Sequence, residues 1–118
     1  MLSKKQLIGE SYFSFNINNY VTDRQNGQIL NINIFYKYAT TDYFDYIPLR
    51  EDTLKIIDNH KNLDLYWDIL AKNIGDILYN KYSIKSIKVT LGVDSNEKKT
   101  AYEPGKHEAI YILGDIMI

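Results

Sequence analysis

Two segments of alternating side chains, separated by an Asn-Gly turn, restrict the fold of this chain more than any other feature. In the first, Phe13, Phe15 and Ile17 alternate with polar residues, which predicts a strand over about residues 11–21 with one face in water. Asn26-Gly27 readily adopts the positive φ angles of a tight turn, so the two segments predict an antiparallel hairpin. The second strand has one apolar face, made of Leu30, Ile32, Ile34, Tyr36 and Tyr38.

Two helices are predicted after the hairpin. Pro48 lies in an aperiodic segment, and Arg50 to Asn59 is predicted as a short helix whose carboxylates at the start, Glu51 and Asp52, suit the positive end of the helix dipole. A longer helix, ending at about Tyr82, is predicted from apolar residues spaced three and four apart: Leu63, Tyr66, Leu70, Ile74 and Ile77.

Two further strands complete the chain. One begins at Ile84 and alternates through Val93, and the other covers about residues 108–114 after a polar loop. The element order ββααββ predicts an α+β fold in which a four-stranded antiparallel sheet has both helices packed on one face. At 118 residues we expect a single domain over 1–118.

Composition excludes several classes of function. Lys and Arg total 14 against 15 Asp and Glu, so there is no basic surface for nucleic acid or an anionic membrane, and neither partner is expected. The absence of Cys removes disulfides and thiolate catalysis, and the N-terminus has no long apolar run, so a cytoplasmic protein is predicted. His60 and His107 lack the spacing of a zinc site, so no metal is expected and both are interpreted as surface residues.

The element order resembles the tunnelling fold, whose subunits join their sheets edge to edge into rings, and short segments resemble dihydroneopterin aldolases. Residues 26–29 (Asn-Gly-Gln-Ile) are similar to the family's Gly-Gln segment that opens the second strand. Residues 44–47 (Phe-Asp-Tyr-Ile) resemble its Asp-Thr-Val stretch, and 67–71 (Trp-Asp-Ile-Leu-Ala) its Leu-Glu-x-Leu-Ala segment. With Pro104-Gly105 before the last strand, the resemblance covers about residues 11–114.

This resemblance implies a pterin pocket between subunits and a retro-aldol reaction that needs no metal, Schiff base or other cofactor. Asp68 occupies the place of a Glu that binds the pterin's amidine-like edge through paired hydrogen bonds, and Ile69 beside it is a second candidate substrate-binding residue. Because Asp is one methylene shorter, its carboxylate lies back by about 1.5 Å. Asp23 matches a second family Glu, in the turn of the first hairpin, and is the candidate catalytic residue.

Two residues that handle protons in the family are missing. Its Lys falls on Val93 and its Tyr on Leu49, and neither side chain can donate or accept a proton. Because such groups each contribute about 10²–10⁴-fold, we expect a pterin-binding protein of folate metabolism with altered or lost lyase chemistry. Lys98 or Lys99 could reach the site in place of the missing Lys, although loop lysines beside Glu97 are more often simply solvated. The alternative is a non-catalytic tunnelling-fold module used for assembly.

Several of these residues also have structural interpretations. Asp68 could pair on the helix surface with Lys72, four residues on, and Asp23 could serve only the turn. Trp67 is interpreted as a core or interface residue, and the 11 tyrosines as half-buried strand and subunit-contact positions.

The edges of the predicted sheet favour assembly. Residues 12–21 and 109–114 contain neither charge nor Pro, although such residues normally protect an exposed strand edge. We therefore expect a homo-oligomer, a tetramer or two stacked tetramers forming an octamer. In such a ring Asp68 of one chain would lie near the loop before the first helix of the next.

Overall fold

The computed structural model describes residues 12–22, 28–39, 45–60, 66–94 and 107–114. The elements in chain order are β1 (Phe13–Val21), β2 (Ile29–Tyr38), α1 (Tyr46–His60), α2 (Trp67–Lys81), β3 (Ile84–Asp94) and β4 (His107–Leu113). The strands form one antiparallel sheet in the order β1-β2-β3-β4, so β1 and β4 are the two edges. The ββααββ order and the four-stranded antiparallel sheet predicted from the sequence are therefore confirmed.

Both helices pack on one face of the sheet, as predicted. Leu49 and Ile57 of α1 and Ile74 of α2 are fully buried against the inner faces of the strands. The antiparallel pairing of the first two strands is also confirmed, with Phe15 of β1 opposite Ile34 of β2, whereas the predicted Asn26-Gly27 turn lies outside the described residues. The apolar alternation of the strands thus predicted which side of the sheet carries the core.

The β1 strand contains a bulge between Ile17 and Tyr20. Asn19 has a φ of 57° there, a conformation that Asn adopts more readily than most residues. Its backbone N–H donates a hydrogen bond of 3.0 Å to Asn31 Oδ1 on β2. The bulge returns Tyr20 to the inner face, where its hydroxyl donates to Asp58 of α1.

Helix α1 starts earlier than the sequence predicted. It begins at Tyr46, so Pro48 lies in its first turn, where a missing N–H costs nothing because these groups have no partner within the helix. Asp45 provides the cap by accepting a 3.1 Å hydrogen bond from the Ile47 N–H. The predicted dipole role of Glu51 and Asp52 is therefore wrong, since neither lies in the first turn.

Helix α2 has a core stripe that differs in part from the prediction. Leu70 and Ile74 are buried as expected, but Tyr66 and Ile77 are exposed, and Leu63 lies outside the described residues. The stripe is centred on Trp67, Ile74 and Leu78, so positions 66 and 77 lie at its margin. The remaining buried positions of this helix are Ala71 and Gly75.

Two polar side chains are buried, and the edge of the last strand is charged. His60, interpreted as a surface residue, is buried with its ring centroid 5.6 Å from that of Trp67. Lys37 is also buried, with its Nζ 5.1 Å from the Tyr12 ring centroid. The last strand begins at His107 and includes Glu108, so this edge carries a charge that the uncharged segment 109–114 did not include.

Tyr-Asp hydrogen bonds tie both helices to their neighbours. Tyr82, after α2, donates to Asp52 of α1, whose carboxylate also lies 2.8 Å from Lys81 Nζ. These contacts, Lys81 first, lower the pKa of Asp52, whereas burial and the bond to Asp52 raise the pKa of Tyr82. Together with the Tyr20–Asp58 bond, this agrees with the interpretation of tyrosines as half-buried packing residues.

Candidate functional site

The N-terminus of α2 carries the two predicted substrate-binding residues. Asp68 is exposed in the first turn and Ile69 beside it is partly buried. The capping residue Tyr66 makes no side-chain cap hydrogen bond, and its carbonyl accepts from the N–H groups of Ile69 at 3.1 Å and Leu70 at 3.3 Å. A carboxylate is favoured at this end of a helix, because the dipole and the free N–H groups are positive there.

Asp68 does not form the surface ion pair that its sequence spacing allowed. Lys72 instead turns toward Asp76, with Nζ 2.6 Å from Oδ2. Asp76 Oδ1 accepts a second hydrogen bond of 2.6 Å from the Tyr111 hydroxyl on β4. Lys72 and then Tyr111 lower the pKa of Asp76. Asp68 faces solvent, since Lys72 contacts Asp76 instead.

A side-chain hydrogen bond joins two of the segments that carried the family resemblance. Trp67, immediately before Asp68, is buried and donates from Nε1 to Gln28 Oε1 at 3.3 Å. Gln28 immediately precedes β2, which begins at Ile29. The first turn of α2 is therefore anchored to the start of β2, a pairing that neither segment predicted alone.

Val93 lies at the same end of the sheet. It is paired with Leu30 of β2, two residues after Gln28, and with His107 of β4. Its side chain is 3% exposed and belongs to the core. The position that the sequence resemblance matched to the family's Lys is thus occupied by a packed apolar side chain.

Leu49 lies at the other end of the helix pair. It is fully buried one turn before Asp52, which contacts Lys81 at the C-terminal end of α2. Asp68 and Lys81 are 13 positions apart, a rise of about 20 Å along the helix axis. Within one chain, the structure therefore brings Asp68 and Val93 to one end of the sheet but leaves Leu49 at the opposite end.

The other candidates lie outside the described residues. These are Asp23, the candidate catalytic residue, and the loop residues Lys98 and Lys99. Among the described residues no group of three or more His, Cys, Asp or Glu side chains could hold a metal ion. No described helix is long and apolar enough to cross a membrane.

Sequence reasoning missed two contributors to this region. Gln28 was part of a family-like segment, but only the fold brings its amide to Trp67. Asp76 was not singled out, although its position four residues after Lys72 was a signal for an ion pair. Gln28 acts by positioning the start of α2 through Trp67, and Asp76 acts by forming an ion pair with Lys72.

No protein-family model matches the chain, and no curated protein matches it. Among solved structures, the chain is similar to a dihydroneopterin aldolase from Burkholderia thailendensis bound to guanine. The TM-score is 0.48 at 8% identity, and the alignment covers 88% of this chain and 92% of that one.

Proposed function

We propose that this chain is a pterin-binding protein of the dihydroneopterin aldolase type, belonging to folate or pterin metabolism, with altered or lost lyase chemistry. The observation that carries the proposal is the exposed Asp68 carboxylate at the anchored start of α2. Lys72 is held by Asp76, so Asp68 keeps its acceptors for a ligand with two parallel N–H donors. Ile69 would contact the same ligand.

The altered chemistry follows from burial at two positions. Val93 and Leu49 are apolar core residues, so no rotation of either side chain can place a proton donor or acceptor at its position. The roughly 20 Å between the ends of α2 further supports a pocket completed by a second copy, in which the α1 start of one chain approaches Asp68 of another. Asp23 is proposed as the remaining catalytic carboxylate.

Neopterin is expected to change the fluorescence of Trp67, the single tryptophan, because that side chain adjoins Asp68. Asp68→Ala should weaken binding roughly 10- to 100-fold, since a hydrogen bond to a charged group contributes about 1.5–3 kcal/mol. Calorimetric titration with neopterin and with guanine would confirm the affinities. In the same samples, release of the side-chain aldehyde from dihydroneopterin should be at least about 10²-fold slower than with an aldolase that keeps the Lys and Tyr.

The matched control is Lys55→Ala, which removes an exposed charged side chain more than two turns beyond the start of α1. It should leave neopterin affinity unchanged. Absence of binding at millimolar neopterin, or equal affinity in wild type and Asp68→Ala, would contradict the pterin proposal.

Assembly is the second expectation, and the two open edges of the sheet support it. The described part of β1 has no charged residue, and Ile110 and Ile112 of β4 are both about half exposed. We expect light scattering at micromolar concentration to give a mass several times 13.8 kDa, consistent with a tetramer or octamer. A monomeric mass would contradict both the ring and the shared pocket.

A non-catalytic assembly module is the second candidate function. The same open edges, combined with the apolar burial of Val93 and Leu49, favour it. It would be preferred if the protein is oligomeric, Asp68→Ala leaves the oligomer unchanged, and neither neopterin nor guanine raises the melting temperature.

A further inference from the structure

The face of the sheet that the helices do not cover contains a polar concavity of about 280 Å³. It lies at the end of the sheet where β2 begins and β3 ends. Every strand contributes to it, and the residues that line it from the outer face are Asn16, Asn18, Asn31, Asn33, Thr90, Gly92, Asp94 and Glu108. Its volume is close to the lower limit of small-molecule sites, which suits a ligand with a single ring.

Gly92 gives this concavity its depth. It lies in the middle of the sheet, opposite Asn31 of β2 and Glu108 of β4, where glycine weakens a strand. Neither backbone nor packing requires it, because its φ is not positive and an added Cβ would meet only the Asn31 carbonyl oxygen, at an ordinary 3.6 Å. A strand glycine without such a requirement often marks a close approach by a ligand.

Hydrogen bonds hold the surrounding amides in place. Asn33 Nδ2 donates to Asn16 Oδ1 at 2.6 Å, and Asn31 Nδ2 donates to Asp94 Oδ2 at 3.1 Å. Asn31 is fixed at both ends, since its Oδ1 accepts from the Asn19 N–H. Preordered polar groups lose little conformational entropy when a ligand binds, which is a property of a built site.

The donor and acceptor atoms that are not used to hold the amides indicate the class of ligand. Asn33 Oδ1, Asp94 Oδ1 and Thr90 Oγ take part in none of the hydrogen bonds that hold the amides, and Asn16 Nδ2 keeps its donors. The described residues that line it include the carboxylates Asp94 and Glu108 but no Lys or Arg, which disfavours anions. Groups that both donate and accept match this mixture of amides and carboxylates, and hydroxyl groups do both.

We propose that this concavity is a binding site for a neutral polyhydroxyl molecule of monosaccharide size. It lies on the opposite face of the sheet from the helices and is independent of the pterin proposal. Gly92 admits the ring of the ligand, and the amides of Asn16 and Asn33 with the Thr90 hydroxyl bind its hydroxyl groups.

The test is saturation-transfer NMR on the full chain with glucose, galactose, ribose and myo-inositol at millimolar concentration. We expect transfer to at least one of them. Gly92→Leu should abolish the signal by filling the concavity, and Thr90→Val should reduce it several-fold while keeping the side-chain shape. Thr90→Val keeps the test informative if Gly92→Leu fails to fold, which circular dichroism would show.

The matched control is Lys88→Leu, which adds the same side chain to the same strand and face, about 13 Å from Gly92. It should leave the signal unchanged. The proposal is overturned if no sugar or polyol gives transfer, if Thr90→Val binds as well as wild type, or if putrescine binds and the polyhydroxyl compounds do not. Neopterin titrations of the same variants should be unaffected, so failure here and failure of the pterin proposal can be distinguished.

Discussion

Ile74→Ala is expected to lower the free energy of unfolding by about 2–5 kcal/mol, among the largest losses for a single substitution in this chain. The Ile74 side chain is fully buried between α2 and the inner face of the sheet. Truncation removes its apolar contacts and leaves a cavity that the surrounding helices and strands fill only in part. Urea denaturation followed by circular dichroism, at one fixed protomer concentration, would measure the loss.

Ile77→Ala is the matched control because it makes the same chemical change three residues along the same helix. Its side chain is 45% exposed, so we expect a loss below about 1 kcal/mol. Equal losses at the two positions would contradict the orientation of α2 on the sheet. A large effect at Ile77 that disappears on dilution would instead place this residue in a subunit interface.

Gly75→Ala is the second substitution for which we expect a large loss of stability. It should destabilise the protein, although Ala normally stabilises a helix relative to Gly. A Cβ at this position would lie 2.5 Å from Tyr111 Cδ2 and 2.9 Å from Cε2, so the ring must move. Moving the ring strains the packing by about 1–3 kcal/mol. It also weakens the charge-assisted hydrogen bond from Tyr111 to Asp76, which contributes a similar amount. The higher helix propensity of Ala offsets about 1 kcal/mol, so we expect the free energy of unfolding to fall by about 2 kcal/mol.

Two further variants separate these contributions. Gly92→Ala, a strand glycine with space for a Cβ, should change stability by less than about 0.5 kcal/mol. In a Tyr111→Ser background the obstructing ring is gone, so Gly75→Ala should become stabilising by up to about 1 kcal/mol. If Gly75→Ala destabilises both backgrounds equally, the Tyr111 ring is not the reason for the glycine.

Local patterns predicted the elements well, and the failures have physical causes. The alternation of Phe13, Phe15 and Ile17 correctly indicated the inner face of β1. The start of α1 was placed four residues late because Pro48 was treated as a boundary, whereas Asp45 caps a helix in which Pro is tolerated in the first turn. His60 was misjudged because a polar residue is usually exposed, and only packing against Trp67 places it in the core.

For the candidate site, the sequence determined the residue types, and the tertiary structure decided their partners. The sequence alone established that Leu49 and Val93 offer no proton and indicated that Asp68 lies on a helix. It could not decide between Asp68 and Asp76 as the partner of Lys72, because both lie four positions away on the same helix. The Tyr111 hydroxyl from β4 fixes Asp76 and so decides the pairing, which leaves Asp68 exposed. Helical spacing is a local property, but the choice between equivalent partners depends on a strand that is distant in the chain.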